Sequence, residues 1–516
     1  MYKNIIDLHT QELVNKIRDD IYSFKSKDIN NFIYFKIENK SFLLDSFHRL
    51  AVKIPQEMEL LLPQYFSHED TDSSDLDSVI CEILNKTNEK ELLSLCENFK
   101  HSRDVVHKKI TSLKENLNNS TSLEASETIV SFLGKRQCNL RCRYCFVEKD
   151  KENNIDIQDG DLSEEIIKTA LDFTLENSKN TLFIRIDYSL GGEVLLDFEN
   201  FKKILPILNS YKNDIEDQKD VVIGFLTNGT LLNDEIIEWL NKNHNQIGFS
   251  LDGCKEVNDS MRKFEDGKGS YDEAIGNIKK IINLNWRFAP GVSSVLTAKN
   301  PDILKNFLDL WDIGFRVIIT KPVRSSEDND FSISNNMDKI KASYTNFANF
   351  LIENCKKGNF EYLKAILYPI DFFGRFLIRI FIRDKIFIKR CAAGKKIFSI
   401  RNNGDIYPCD SFNGMGMHLL GNINNRSIDD TTFRIPFVDE IEKCSNCWAR
   451  YLCGGPCAYT QTINGGDRII ESECELTKFI LMLSCYLWSE VKSVSSEEEL
   501  KDLNDFISLV THATSW

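Results

Sequence analysis

Cys138, Cys142 and Cys145, in the run Gln137-Cys-Asn-Leu-Arg-Cys-Arg-Tyr-Cys-Phe146, are spaced to hold three corners of a cubic iron-sulfur cluster. Such a cluster ordinarily takes four cysteines, and with no fourth nearby one iron stays open to another ligand. Electron-transfer proteins saturate their clusters; an open iron suggests chemistry. A three-cysteine zinc site or a set of redox thiols is the competing reading, although zinc cysteines usually come as two separated pairs. A second field of seven cysteines runs Cys391-x12-Gly404-x4-Cys409, then Cys444-x2-Cys447-x5-Cys453-x3-Cys457, then Cys474.

The elements that must position these residues alternate. Thr128–Leu133 reads as a strand, followed by Leu182–Asp187, Val221–Leu226, Gln246–Ser250, Pro290–Val295 and Phe315–Thr320. Helical patterns lie between them at Phe198–Leu208, Asn233–Asn241, Tyr271–Leu284 and Pro301–Trp311. Strand-helix alternation implies an α/β fold with a parallel sheet and right-handed crossovers, whose sites lie at the strand C-terminal ends. The cysteine loop after Phe132 falls at such an end.

Ahead of it, Phe32–Ile37, Ser41–Asp45 and Leu50–Ile54 read as strands, with helices from Pro55 and over Leu76–Leu84, Glu89–Phe99 and Arg103–Leu117. The polar run Asn118-Asn-Ser-Thr-Ser-Leu123 marks a boundary. The chain divides into 1–120, 121–345, a bridging helical segment 346–390, a cysteine-rich 391–490 and a tail 491–516. Ser325–Asn336 reads as a mobile loop, and Arg375, Arg379 and Arg383, four apart, as the solvated face of a helix. Cys254 has no spaced partner and reads as a buried or inert thiol.

The run Cys138 to Cys145, with the aromatic Tyr144 before its last cysteine, resembles the signature of the radical S-adenosylmethionine (SAM) enzymes. The resemblance implies a partial (β/α)6 barrel whose [4Fe-4S] cluster, on these three cysteines, binds SAM and splits it to a 5′-deoxyadenosyl radical. Gly191-Gly192-Glu193 resembles the family's methionine-amino motif, glycines allowing close approach and a carboxylate accepting from ammonium. Ser250-Leu-Asp252-Gly253 resembles its Ser-x-Asp-Gly segment, and Arg262 stands where related peptide maturases carry an arginine for the SAM carboxylate. Relatives often have His-Asp where this chain has Asn258-Asp259, so residue 258 is given no role.

The second cysteine field resembles the SPASM domain of peptide-modifying radical SAM enzymes. That implies two auxiliary Fe-S clusters, one on Cys444, Cys447, Cys453 and Cys474 and another on Cys391, Cys409 and Cys457. The fully ligated pattern has one more cysteine shortly before Cys391, where this chain offers Lys385 to Arg390; Cys355 is the nearest thiol upstream. Asp410 follows Cys409 at the place where sulfatase-maturing relatives carry a proton-removing carboxylate; an aspartate hydrogen-bonded in a turn is the alternative. Residues 1–120 resemble the winged-helix recognition module of peptide-modifying relatives.

These resemblances imply a maturase that crosslinks side chains of a ribosomally made precursor peptide through a C-C, ether or thioether bond. Its leader would bind the N-terminal domain, and a flavodoxin or ferredoxin would donate electrons. Formylglycine formation from Cys or Ser is an alternative, as is an Fe-S electron-transfer or peptide-binding protein that never cleaves SAM. The net charge of −14 disfavours nucleic acid as a partner. The N-terminus lacks a signal peptide's apolar core, and the apolar stretch Phe372–Ile388 is broken by Arg375, Arg379, Arg383 and Lys385. We therefore expect a cytoplasmic protein with no membrane partner.

Overall fold

The computed structural model describes residues 32–45, 50–54 and most of 127–513, leaving out 135–136, 146–159, 180, 182, 189–190, 216–218, 244–245, 285, 287–288, 382–385, 426, 430 and 467. The helices expected between Pro55 and Leu117 lie outside the described residues. The first three strands, β1 (Phe32–Ile37), β2 (Lys40–Asp45) and β3 (Leu50–Ile54), form an antiparallel meander.

The remaining strands form one sheet. β4 (Glu127–Leu133), β5 (Phe183–Asp187), β6 (Asp220–Thr227), β7 (Gln246–Ser250), β8 (Gly291–Leu296) and β9 (Val317–Pro322) lie side by side in chain order, each parallel to the next. Alternate residues of its strands, among them Ser131, Asp187, Gly248, Ser293 and Ile319, line one shared cavity, so the sheet curls around an interior. The opposite faces are apolar: Val130, Ile184, Ile186, Phe249 and Ile318 are wholly buried beneath the crossover helices.

Those helices are α1 (Glu164–Asn177), α2 (Phe198–Asp214), α3 (Asp234–Asn243), α4 (Lys255–Met261), α5 (Tyr271–Ile282) and α6 (Ile303–Ile313). Local chemistry sets their ends. Ser163 caps α1 by accepting from the Ile166 N–H, with Glu164 and Glu165 in the first turn. Asp302 caps α6 in the same way, and Gly314, at φ +120°, closes it in a conformation that suits glycine.

The segment after residue 390 does not form a separate sheet. β10 (Ile397–Arg401) pairs in parallel with β4, placing Phe398 opposite Val130 and Ile400 opposite Phe132. β11 (Asp405–Tyr407), β12 (Gly421–Asn422) and β13 (Ser427–Ile428) extend the sheet antiparallel beyond it, to ten strands among the described residues. The rest is helical: α7 (Met337–Cys355), α8 (Phe372–Phe381), α9 (Glu471–Val494) and α10 (Glu497–Ala513). α9 packs on α7 and α8 and also carries the N-terminal meander, through edge-on contact of Phe42 with Tyr486 and a Lys40–Glu490 ion pair.

Two sequence expectations are corrected here. Residues 325–336 are packed in place: Phe331, Ser332 and Ile333 are buried, the Ala298 N–H donates to the Phe331 carbonyl, and Glu327 accepts from Ser472. The acidic residues of this loop obscured two apolar anchors. The arginines of α8 do not make a solvated face either. The helix is buried on every side, and Arg379, 6% exposed, donates to the Leu452 and Cys453 carbonyls at 2.6 and 2.7 Å. Arg383 lies outside the described residues.

Candidate active site and iron-sulfur sites

The loop bearing Cys138, Cys142 and Cys145 is pinned to the stretch after α4. Arg141 N–H donates to Lys263 O and Arg143 N–H to Met261 O, at 2.6 and 2.9 Å. These bonds bring Arg262 against the loop. Tyr144 Oη donates to Asp252 Oδ2 at 2.6 Å, Arg262 Nη2 donates to Asp252 Oδ1 at 3.0 Å, and the Val295 N–H reaches Asp252 Oδ1 at 3.0 Å. The Arg262 guanidinium lies 5.4 Å from the Tyr144 ring centre. Asp252 is wholly buried. Burial is the largest single influence and acts to discharge Arg262, but Asp252, Tyr144 and Cys142 together outweigh it and hold the guanidinium more firmly protonated than usual. Ser250 ends β7, and Asn258, buried in α4, accepts from the Asp252 N–H.

Gly191 and Gly192 form the turn after β5, Gly191 at φ +102°. The Glu193 N–H donates to Gln137 O, tying this turn to the residue before Cys138. The Glu193 carboxylate accepts from the Leu195 N–H, the Thr227 hydroxyl and the Asn228 N–H. Burial pushes its pKa up, against those three donors. Sequence reasoning missed Thr227 and Asn228 at the end of β6. Asn228 Nδ2 donates to Asn139 Oδ1 at 2.9 Å and stands 3.9 Å from Cys138 Sγ. Their one sequence signal is that they are polar residues at a barrel strand's C-terminal end.

The seven later cysteines divide between two cavities. Cys391, Cys409 and Cys457 line the barrel interior, a cavity of about 320 Å³, with Asp410, Lys321, Arg324 and Tyr459. Cys391 is exposed, and the space it faces is this cavity. Cys444, Cys447, Cys453 and Cys474 line a smaller one of about 40 Å³ with Arg390 and Glu473. Asp410 opens the short turn Asp410–Phe412 and accepts from the Ser411 hydroxyl at 3.4 Å. Cys355 is buried at the end of α7 and does not line the barrel cavity. Cys254 is only half-buried and accepts from Lys305 Nζ at 2.9 Å, so it has a partner that spacing did not reveal.

Residues 135–304 match the model of the Radical SAM superfamily, and residues 391–448 match that of SPASM, an iron-sulfur cluster-binding domain. The chain carries a radical SAM domain and a SPASM domain. It is similar to the cysteine-type anaerobic sulfatase-maturating enzyme of Clostridium novyi, 26% identical over 62% of this chain and 84% of that one. It is also similar to the serine-type enzyme of Bacteroides thetaiotaomicron, 27% identical over 64% and 82%. An uncharacterised protein of Methanocaldococcus jannaschii is 28% identical over 61% of this chain and 92% of its own length. The fold is that of native anSMEcpe with bound AdoMet, with TM-score 0.55 and 18% identity over 71% of this chain and all of that one.

SAM and iron-sulfur clusters are the cofactors of these domains, and the donor chemistry fits them. Burial pushes the Cys138 and Cys142 thiols up to about 11 and 12, and Cys444 and Cys474 likewise. Such thiols ionise when bound iron supplies positive charge, releasing protons as it binds. Among the described residues no three His, Cys, Asp or Glu side chains converge on a single metal ion. Cluster ligands bind separate irons and stand wider apart. On the SAM side, the buried Nε of Arg262 has no hydrogen-bond partner, leaving a donor for a carboxylate. No helix among the described residues is long and apolar enough to cross a membrane.

Proposed function

We propose that this chain is a radical SAM peptide maturase that oxidises a side chain of a ribosomally made precursor and joins it to another in a crosslink. The observation that carries the reading is that Cys391, Cys409, Cys457 and Asp410 open into the same cavity as the barrel strands. A substrate residue there would have a hydrogen-abstracting end and an electron-accepting end. When bound, SAM and the clusters supply a radical able to take hydrogen from an unactivated carbon and a route for the second electron.

The chain's own residues do the rest. Cys138, Cys142 and Cys145 would hold the SAM-binding cluster, Arg262 Nε the SAM carboxylate, and the Gly191-Gly192 backbone its amino group. Tyr144 and Asp252 orient Arg262. Glu193, already accepting three bonds, stiffens the glycine turn. Asp410 would take the proton released as the substrate loses its second electron. Neither family model matches ahead of residue 135, and the meander there is docked on α9. That leaves the N-terminal segment available to hold a leader peptide and raise the core's effective concentration at the cavity.

The named relatives favour a second reading, formation of formylglycine from Cys or Ser. One experiment separates the two. Reconstituted enzyme, SAM and a reductant are incubated with the peptide encoded beside this gene and, separately, with a sulfatase-derived peptide. Crosslinking removes two hydrogens and creates no carbonyl, whereas formylglycine reacts with a hydrazide. Production of 5′-deoxyadenosine with neither peptide changed would count against both.

A further inference from the structure

Lys321 stands near the end of β9 and Arg324 just beyond it, and both line the barrel cavity that Cys391, Cys409 and Cys457 share. They lie close enough to repel one another. Lys321 is half-buried; Arg324 is exposed, and the space it faces is this cavity. The other charged groups on the wall are Arg185, Asp187 and Asp410. Arg185 and Asp187 come within 4.0 Å of each other. Arg324 Nη1 donates to the Ser411 hydroxyl, which donates in turn to Asp410 Oδ1 at 3.4 Å, so a hydroxyl stands between that carboxylate and the guanidinium. Among the described residues no carboxylate is in ion-pair contact with Lys321 or Arg324, and the Lys321 ammonium donates no hydrogen bond. Much of the remaining wall is apolar, with Phe225, Val292, Ile319 and Phe412.

We propose that Lys321 and Arg324 form a carboxylate-binding site inside the barrel, which holds an acidic group of the substrate beside the inner cysteines. That group is an Asp or Glu side chain or the C-terminal carboxylate of a peptide. A cluster on the three cysteines would bring negative charge spread over a cube of sulfurs, and with it counted the cavity is near neutral. What stays unmet is the demand of an ammonium and a guanidinium for oxygen acceptors. A carboxylate meets it, accepting from the planar fork with two oxygens and from the ammonium beside it. An amide of the same shape offers one acceptor and turns its own N–H donors toward two cations. The site therefore selects by donor geometry and not by net charge. The inference rests on the peptide-maturase reading and narrows its substrate to a peptide that carries a carboxylate into the barrel.

The test is calorimetric titration of the reconstituted full chain, with SAM present, by pentapeptides Ala-Ala-X-Ala-Ala blocked at both ends, X being Asp, Glu, Asn or Gln. A fifth peptide has X as Ala and a free C-terminal carboxylate. At least one carboxylate peptide binds about tenfold or more tightly than the amide peptides. Whether it is a side-chain peptide or the fifth one names the source of the carboxylate. Lys321→Met and Arg324→Met each bring the preference to within about twofold, whereas Lys321→Arg keeps it. Equal affinity for carboxylate and amide peptides, or no binding of any, overturns the proposal in the parent chain alone, whatever the variants do. A preference that survives both Met variants overturns it as well. The peptide encoded beside this gene then separates this inference from the reading it rests on. A parent enzyme that crosslinks that peptide equally well after every carboxylate in it has been made an amide refutes the carboxylate site and leaves the maturase standing. A carboxylate preference in the titration with that peptide unmodified refutes the maturase and leaves the site.

Discussion

Asp252 shows how much one residue holds together beside the cysteine loop. Its carboxylate accepts from the Tyr144 hydroxyl, from Arg262 and from the Val295 N–H, joining the loop, the end of α4 and β8. With Asp252 removed, Arg262 is left as a buried cation without its partner. We therefore predict that Asp252→Ala destabilises the cluster-free chain by about 3–5 kcal/mol. Tyr144→Phe removes one donor and leaves one buried acceptor short of a bond, which costs about 1–3 kcal/mol. Urea unfolding of both variants checks the order. An Asp252→Ala chain as stable as the parent would show that the network is not structural. Arg262→Lys keeps the charge but loses the planar fork, and is predicted to weaken SAM binding about tenfold or more by equilibrium dialysis.

At the scale of elements, the junction of β9 and α8 rests on Asp371. It accepts from the Thr320 N–H at 2.7 Å and the Gly374 N–H at 2.6 Å. Gly374 has to be glycine, since a Cβ there would come 1.7 Å from the Ile366 carbonyl oxygen. Burial pushes the Asp371 carboxyl up to about 7, against the backbone donors that pull it down. An unfolded aspartate titrates near 3.9, so between about pH 4 and pH 7 the folded chain keeps a proton that the unfolded chain has lost. The contribution of Asp371 to stability therefore falls as pH rises through that window and levels off above it, by up to about 4 kcal/mol in all. Asp371→Asn loses one acceptor but never ionises. It is predicted to be less stable than the parent at pH 5 and to close the gap by pH 8, read from urea midpoints at the two pH values. The same junction shows what the sequence could convey. The barrel strands were legible because each is a local apolar run, and the cysteines because cluster ligands carry their spacing in the chain. The burial of Arg379 was not, because the carbonyls that receive it come from residues 452 and 453. Lys321, Arg324, Thr227 and Asn228 were missed for the same reason: a lone polar residue at a strand end has no spacing to betray it.

For the whole molecule, the decisive contact is the pairing of β10 with β4 across more than half the chain. A boundary at residue 391 looks natural in the sequence, since the cysteine pattern starts there and β10 is a short run with no local partner. In the folded chain that boundary cuts through a continuous sheet. A fragment ending at residue 390 would leave the β4 edge bare, with Val130 and Phe132 losing Phe398 and Ile400 beside them. It would also remove α9, against which α7, α8 and the N-terminal meander all pack. An unpaired apolar edge strand invites pairing with other chains. We predict that the 1–390 fragment, expressed without the rest, aggregates or elutes as large oligomers, whereas the full chain does not. Size-exclusion chromatography with circular dichroism checks this. A monomeric fragment with native-like helix content would show that the radical SAM domain is a unit of its own. If instead it fails to fold alone, the inner cysteines and the barrel are one cooperative structure, and the distance between the two ends of the cavity is fixed by the sheet rather than by the docking of two domains.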